Sequence, residues 1–117
     1  RRVLFRSSTV KAKELAMKGR FDFLILHLLS KEEMYGFQII KKFAENCTDG
    51  EFELKTGTLY PLLATMENRG YLSSRTACLS GREHKFYKAT AMGKEYLLQQ
   101  KERWYKWESF ANKILEL

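Results

Sequence analysis

The chain has 117 residues, which supports one domain with a modest core, and burial against a partner often makes up for so small a core. Its hydrophobic share of 44% and charged share of 30% are those of a soluble globular protein. The longest apolar run, Phe23–Leu29, is interrupted by His27 and is far too short to span a bilayer, which excludes an integral membrane protein. The formal charge of +7 suggests an anionic partner.

The first seven residues, Arg1–Ser7 (RRVLFRS), resemble the in-frame translation of a common sequencing-library adapter. We therefore predict that residues 1–7 are not native, and exclude them from reasoning about the fold as one would a tag. Removing their three arginines from the 21 basic residues leaves 18 against 14 acidic ones, so the net charge falls from +7 to +4. The net charge is therefore weak evidence for an anionic partner, and the positions of the charges are more informative than their sum.

The first half of the chain has the pattern of two helices. Phe21–Leu29 predicts a buried helix, because its apolar residues recur at helical spacing. The predicted inward face consists of Phe21, Leu24, Ile25 and Leu28. Ser30 and Glu33 match a capping box, which predicts a second helix at Met34–Asn46. The alternation in Glu51–Leu54 predicts a short strand.

The segment Lys55–Gly70 predicts an amphipathic helix that Gly70 ends. We place its N-cap at Thr58, because Pro61 is then the third helical residue, where the missing N–H has no intrahelical partner. The buried stripe consists of Leu59, Leu63 and Met66; the opposite face carries Thr58, Tyr60, Pro61, Ala64, Thr65 and Asn68. These small or hydrogen-bonding groups suit a helix laid in the major groove, although a plain solvent face has the same composition.

After Gly70 the apolar period changes from 3.6 to 2, which predicts a β-hairpin. Its strands are Tyr71–Leu79 and His84–Thr90, joined by a turn that contains Gly81. We expect Arg82 and Lys85 at its tip.

Thr90 is the predicted cap of a long final helix, Ala91–Leu117. Apolar residues seven apart form a heptad seam along this helix: Leu97, Trp104 and Ala111 in one row, Trp107 and Ile114 in the next. So long a seam exceeds what one small domain covers, and predicts a partner helix from a second copy of the chain.

The order of three helices, a hairpin and a long helix resembles a winged helix-turn-helix domain, and the motifs resemble the PadR-like family of bacterial transcriptional regulators in its short form with a single C-terminal helix. The matching segments are FLILHLLS (Phe23–Ser30), YGFQII (Tyr35–Ile40), GTLYPLL (Gly57–Leu63), MENRGYL (Met66–Leu72) and GREHKFYKATAMGKEYL (Gly81–Leu97). The resemblance implies a mainly α fold with a small β-hairpin (α+β), a winged-helix DNA-binding domain at residues 8–90 and a C-terminal dimerisation helix at residues 91–117.

The resemblance also implies a homodimer whose third core helix enters the major groove while the wing tips touch phosphate or the minor groove. From it and from the side-chain chemistry we predict these DNA-binding residues: Tyr35, Lys55, Thr56, Thr58, Tyr60, Pro61, Thr65, Arg82 and Lys85. For Tyr35, a phosphate contact and a buried core tyrosine remain equal alternatives.

Related regulators of the short form bind flat hydrophobic compounds between aromatic side chains near the dimer axis, which implies an effector site here. We predict the effector and dimer interface at Leu97, Trp104, Trp107, Ala111 and Ile114. The two tryptophans could stack a planar ligand or could only pack the dimer.

Enzymatic activity is not expected, because only His27 and His84 are available and neither has catalytic or metal-ligand spacing. Neither a cofactor nor a metal is predicted, and Cys47 and Cys78 are expected to be free thiols in a reducing cytoplasm. The predicted function is a sequence-specific regulator of transcription, a repressor relieved by a small hydrophobic or aromatic effector, on a pseudo-palindromic operator. The alternative is a winged-helix protein–protein interaction module that does not bind DNA.

Overall fold

The computed structural model describes residues 21–47 and 49–117. The elements in chain order are α1 (residues 21–31), β1 (Met34–Tyr35), α2 (Gly36–Asn46), α3 (Thr56–Asn68), β2 (Leu72–Leu79), β3 (Arg82–Ala89) and α4 (Ala91–Leu115). The three strands form an antiparallel sheet in the order β1-β3-β2. The predicted α+β winged-helix fold with a long C-terminal helix is therefore confirmed, whereas residues 1–7 lie outside the described residues.

A single apolar core joins the helices to one face of the sheet, and it contains the predicted stripe of α3. Leu59 and Leu63 are fully buried and Met66 nearly so. The other core residues are Phe21, Ile25, Leu26, Leu29, Met34, Ile39, Leu54, Leu72, Tyr87, Ala89 and Leu97. Burial of side chains this large is the main force that holds a domain of this size together.

The predicted capping box at Ser30 is wrong, because α1 continues to residue 31. The Ser30 hydroxyl donates to the carbonyl of His27 at 2.6 Å, within the last turn of α1. Glu33 is drawn to Arg75 on the hairpin and does not reach back to Ser30. The buried face of α1 is also rotated from the prediction, since Leu24 is exposed.

The strand β1 stands where the sequence pattern predicted the start of α2. Met34 and Tyr35 pair with Tyr87 and Phe86 of β3. The helix α2 therefore begins at residue 36, where the Gln38 side chain accepts from the Tyr35 N–H at 3.0 Å. The Gln38 side chain thus makes the capping contact that was predicted for Ser30 and Glu33.

The start of α3 also differs from the prediction. The helix begins at Thr56, because the carbonyl of Lys55 accepts from the N–H groups of both Thr58 and Leu59, at 3.0 and 2.9 Å. Thr58 is therefore not the N-cap, and Pro61 lies inside the helix. Nor do the residues before it form the predicted strand at 51–54, although Leu54 is buried.

The end of α3 is as predicted, at Gly70. Gly70 has a positive φ of 85°, and its N–H bonds to the carbonyl of Glu67, while the N–H of Tyr71 bonds to the carbonyl of Met66. These two bonds form a Schellman motif, which needs a left-handed residue at the position of Gly70. The motif turns the chain directly from α3 into the wing.

The wing is a two-stranded hairpin with a two-residue turn. Ser80 and Gly81 both have positive φ, 53° and 77°, as a type I′ turn requires. Leu79 and Arg82 form the last strand pair before the turn. The tip of the wing is therefore made by these four residues.

The helix α4 starts with the predicted cap and is fastened closely to the root of the wing. The Thr90 hydroxyl accepts from the Gly93 N–H at 3.0 Å and donates to the Gly70 carbonyl at 2.6 Å. A Cβ at position 93 would lie 3.0 Å from the Tyr71 carbonyl carbon and would overlap its oxygen. The ring of Tyr71 also stacks on Tyr96, with centroids 4.3 Å apart. Glycine at position 93 is thus required for the contact between α4 and the wing.

Candidate nucleic-acid interface

The solvent face of α3 carries the side chains predicted for it. Its exposed residues are Thr56, Tyr60, Pro61, Ala64, Thr65 and Asn68, and Lys55 is exposed directly before the helix. Thr58 is half-buried. Glu67, the one acid within α3, is hydrogen-bonded to Ser74 on the wing. The outer face of α3 is therefore polar and free of carboxylates, which suits contact with phosphates and base edges.

Tyr60 joins this face to the start of α2. The Tyr60 side chain is 48% exposed, yet its hydroxyl end lies against Gly36, the first residue of α2. A side chain on residue 36 would overlap the tyrosine ring. The start of α2 and the outer face of α3 thus form one continuous surface.

Tyr35 lies beside this junction in an aromatic cluster on the outer face of the sheet. Its ring stacks on His84, with centroids 4.2 Å apart, and meets the edge of Phe86 at 5.3 Å. The residue is half-buried, so it does not belong to the main core. This position leaves a phosphate contact open to Tyr35.

The two basic residues predicted for the wing tip occupy different places. Arg82 is exposed and borders the turn. Lys85 lies further down β3, opposite Thr76, and its Nζ is 3.4 Å from a carboxylate oxygen of Glu67. Lys85 is therefore not a tip residue, because the strand continues through it and directs its side chain to α3.

A second carboxylate contacts the opposite face of the wing. Glu33 accepts two hydrogen bonds from Arg75, at 2.8 Å from Nε and 2.5 Å from Nη2. The guanidinium of Arg75 lies 5.3 Å from the centroid of the Phe86 ring. Because Arg75 donates to it, the pKa of Glu33 is held below its ordinary value.

The predicted seam of α4 separates into a covered part and an uncovered part. Leu97 is buried in the core of its own chain, so we remove it from the predicted interface. Trp104, Trp107 and Ile114 have exposed fractions of 37%, 56% and 67%. The ring centroids of Trp104 and of Phe23 on α1 are 6.3 Å apart. Ala111, in the same row as Trp104, is half-buried.

A half-buried acid, Asp22, lies in α1. Burial raises the pKa of Asp22 to about 6, and the positive charge of Arg69, just after α3, opposes that rise. One carboxylate oxygen of Asp22 is buried without a hydrogen-bond partner.

The sequence matches the transcriptional regulator PadR-like family over residues 25–99. The chain belongs to this family. It is therefore a DNA-binding transcriptional regulator, and the prediction that it is not an enzyme is confirmed. Within residues 21–47 and 49–117, no helix combines the length and apolar character needed to cross a membrane.

Solved PadR-family structures share the fold across almost their whole length. A PadR-like transcription factor from Bacteroides fragilis is 31% identical, with 89% of this chain and 98% of that one covered at a TM-score of 0.76. A PadR family transcription regulator from Clostridium difficile R20291 is 34% identical, covering 81% and 97% at 0.73. A PadR family regulator from Eggerthella lenta is 25% identical, covering 97% of both chains at 0.76.

The sequence did not predict the contacts that join α2, α3 and the wing in the candidate interface. Gly36 lies against the side chain of Tyr60. Nor did the sequence predict that Glu33 and Glu67 contact the wing, or that His84 stacks on Tyr35. No local pattern marks them, because each contact joins residues of different elements.

Proposed function

We propose that this PadR-like protein is a cytoplasmic repressor that binds a pseudo-palindromic operator as a homodimer. The observation that carries the proposal is the acid-free outer face of α3, continuous with the start of α2 and accompanied by exposed Arg82 at the wing tip. A helix with this face fits the major groove, and the wing then follows the backbone.

The proposed contacts divide into those that read bases and those that hold phosphate. Thr58, Tyr60 and Thr65 carry hydroxyl groups on or beside the outer face of α3, where they are suited to base edges. Lys55 and Arg82 are suited to phosphate, since each is exposed and positively charged. Of the remaining predicted contacts, Thr56 and Pro61 are exposed on α3, and Tyr35 is half-buried directly before α2. Lys85 is paired with Glu67 and is not assigned a DNA contact.

The proposed homodimer uses the uncovered part of α4. Trp107, Phe110 and Ile114 are more than half exposed and recur at spacings of three and four, so they share a side of the helix. Exposed apolar patches of this kind mark interaction sites. A two-fold partner helix would cover them and would present two identical copies of α3 to the DNA.

DNA retention followed by salt titration tests the proposal. We would sequence the genomic fragments that the purified protein retains, and measure affinity for the enriched site against salt. Replacing Arg82 with alanine should lower the slope of log affinity against log salt by about one unit on specific and random DNA alike. Lys106→Ala on α4 removes one positive charge elsewhere and should leave the slope unchanged.

Two outcomes would contradict the proposal. A protein that retains no sequence motif and shows no salt dependence would be the alternative, a winged helix that contacts only proteins. A footprint over a single unrepeated half-site would contradict the two-fold dimer.

We further propose that a planar, apolar effector relieves repression by entering between the two α4 helices. Trp104 and Trp107 lie three residues apart, and a two-fold axis beside them would bring four indoles together. Four large rings pack poorly in a narrow seam, so a flat slot remains between them. Stacking and cation–π attraction would favour planar cationic compounds.

Tryptophan fluorescence tests the effector proposal. A panel of planar dyes should quench the emission of the wild type and lower its affinity for the enriched operator. Quenching should be weaker in dimers of Trp104→Ala or Trp107→Ala. If the whole panel neither quenches the emission nor changes operator affinity, the tryptophans pack the dimer and sense nothing.

A further inference from the structure

Glu67, in the last turn of α3, contacts both strands of the wing with one carboxylate. The Ser74 hydroxyl on β2 donates to Oε2, and the Lys85 ammonium on β3 lies 3.4 Å from Oε1. The hydrogen bond from Ser74 holds the pKa of Glu67 below its ordinary value, and Lys85 acts in the same direction. Glu67 is therefore charged at neutral pH and connects α3 to the hairpin.

This contact lies at the point where the wing loses its third strand. The strand β1 pairs with β3 only at Phe86 and Tyr87, so among the described residues no strand pairs with β3 on that side from Lys85 to the tip. An isolated two-stranded hairpin is marginally stable in water. Beyond Phe86, the stacking of Tyr35 on His84 supports the outer face of the wing, and the contact of Glu67 with Lys85 supports the face that points to α3.

The ammonium of Lys85 contacts two side chains of its own chain. Besides Glu67, it contacts the face of the Tyr87 ring, 5.4 Å from the centroid. Tyr87 and Glu67 together raise the pKa of Lys85. Arg82 at the tip is an exposed cation, and no ion pair with it is found in the described part of the chain.

We propose that Glu67 is a positioning residue that fixes the wing relative to α3, and that Lys85 serves DNA binding through Glu67 and not by neutralising a phosphate. The proposal rests on the function proposed above, because it concerns how two DNA-contacting parts are held in one geometry. A fixed wing lets Arg82 meet phosphate only when α3 is in register with its bases. Loosening the wing therefore reduces discrimination between operator and random DNA more than it reduces overall affinity.

The test compares single and exchanged charges. Lys85→Ala and Glu67→Gln each remove the ion pair, and the double variant Glu67→Lys with Lys85→Glu restores it in reverse with no change in net charge. Glu102→Gln is the matched control, because Glu102 is paired with Lys106 on α4 at the same 3.4 Å. For each protein we would measure the thermal unfolding midpoint, affinity for the enriched operator and for random DNA, and the salt slope.

We expect both single variants to lower the ratio of operator to random affinity about two- to fivefold, the range that a surface ion pair supports. The salt slope of Lys85→Ala should equal that of the wild type, and the exchanged pair should recover the ratio. Glu102→Gln should change neither quantity.

A lower slope, by about one unit, in Lys85→Ala would show a direct phosphate contact and overturn the proposal. Loss of operator and random affinity in equal proportion by the exchanged pair would overturn it as well. If the wild type shows no salt-dependent DNA binding, the proposed function itself is wrong. This result is obtained before any variant is compared, so it is distinguishable from a failure of the proposal for Glu67. The unfolding midpoint separates these outcomes from a general loss of folding.

Discussion

The two ends of α4 meet very different surroundings. Residues 91–97 are fixed to their own domain: Thr90 caps the helix, Gly93 lies against the Tyr71 backbone, and Leu97 is buried in the core. Residues 104–117 expose large apolar side chains, among them Trp107 and Ile114. The same helix therefore belongs at one end to the winged-helix domain and at the other to a surface that residues 21–47 and 49–117 leave uncovered.

This difference shows that a regular apolar pattern does not tell what covers it. Leu97, Trp104 and Ala111 are seven residues apart, yet the first is in the core and the second is 37% exposed. The core of the domain ends near Leu97, whereas the apolar pattern of α4 continues past the core to Ile114. Changes at the covered end should affect folding, and changes at the uncovered end should affect association.

The largest effect is expected at the covered end, in Gly93→Ala. A Cβ there overlaps the Tyr71 carbonyl oxygen, so α4 or the root of the wing must move. We expect a loss of about 4 kcal/mol in the free energy of unfolding, measured by chemical denaturation. Gly57→Ala in α3 is the control, because nothing lies within 4 Å of its Cβ; it should be neutral or stabilising by less than about 1 kcal/mol. Equal effects of the two changes would contradict the assigned contact.

The next largest effect is expected at the uncovered end, in Ile114→Asp. A carboxylate in the proposed seam would be buried without a partner in both subunits, so the dimer should weaken by about 3 kcal/mol, or more than roughly a hundredfold. Sedimentation at a series of concentrations measures this. Leu98→Asp has the same 67% exposure on another side of α4 and should leave the dimer intact. If Leu98→Asp dissociates the dimer and Ile114→Asp does not, the seam has been placed on the wrong side.

The smallest effect is expected within the winged-helix domain, where Asp22 should make the free energy of unfolding depend on pH. Its pKa is about 6 in the fold, above the ordinary 3.8, so the fold binds the proton more tightly than the unfolded chain does. The stability this provides is complete below about pH 3.8 and is lost as the pH rises through about 6. Asp22→Asn should therefore stabilise the protein progressively over that range, reaching about 1 kcal/mol at pH 7, after discounting for partial exposure.

Asp49→Asn provides a control of opposite sign for the pH series. The backbone N–H of Glu51 and the Cys47 thiol donate to Asp49 and lower its pKa, so its contribution is present at neutral pH and lost on acidification. Replacing Asp49 should destabilise the protein at pH 7 and not at pH 3. A difference between Asp22→Asn and wild type that stays constant from pH 4 to pH 7 would contradict the assigned burial.

Patterns within one element predicted most of the fold. The period of three to four in residues 59–66, the change to period two after Gly70 and the cap at Thr90 all describe the chain correctly. The start of α3 was misplaced because the rule for Pro61 considers only local hydrogen bonds. Burial of Leu59, Leu63 and Met66 supplies most of the stability of α3, and the helix begins early enough to include a costly proline.

The proposed DNA-binding surface was less predictable because it depends on contacts between elements. The exposed face of α3 follows from the helical period, so Tyr60 and Thr65 were placed correctly at its surface. The surroundings of Lys85 were not predictable, since its neighbour Glu67 comes from another element. Leu97 was likewise assigned to an interface because the seam has no local sign of where the core ends. The division into residues 8–90 and 91–117 stays a prediction.

The close contact between Gly93 and the Tyr71 backbone fixes the start of α4 to the winged-helix domain and leaves no room for a hinge there. The 25 residues of α4 extend for about 37 Å, so a change of about 10° in the crossing angle of two such helices would displace the attached α3 by about 6 Å. That distance approaches two base-pair steps along DNA, each of about 3.4 Å. In the proposed dimer, α4 would therefore make binding depend on the spacing of the two half-sites as well as on their bases. An operator with the right bases but one base pair more between its halves should bind as poorly as one with a wrong base.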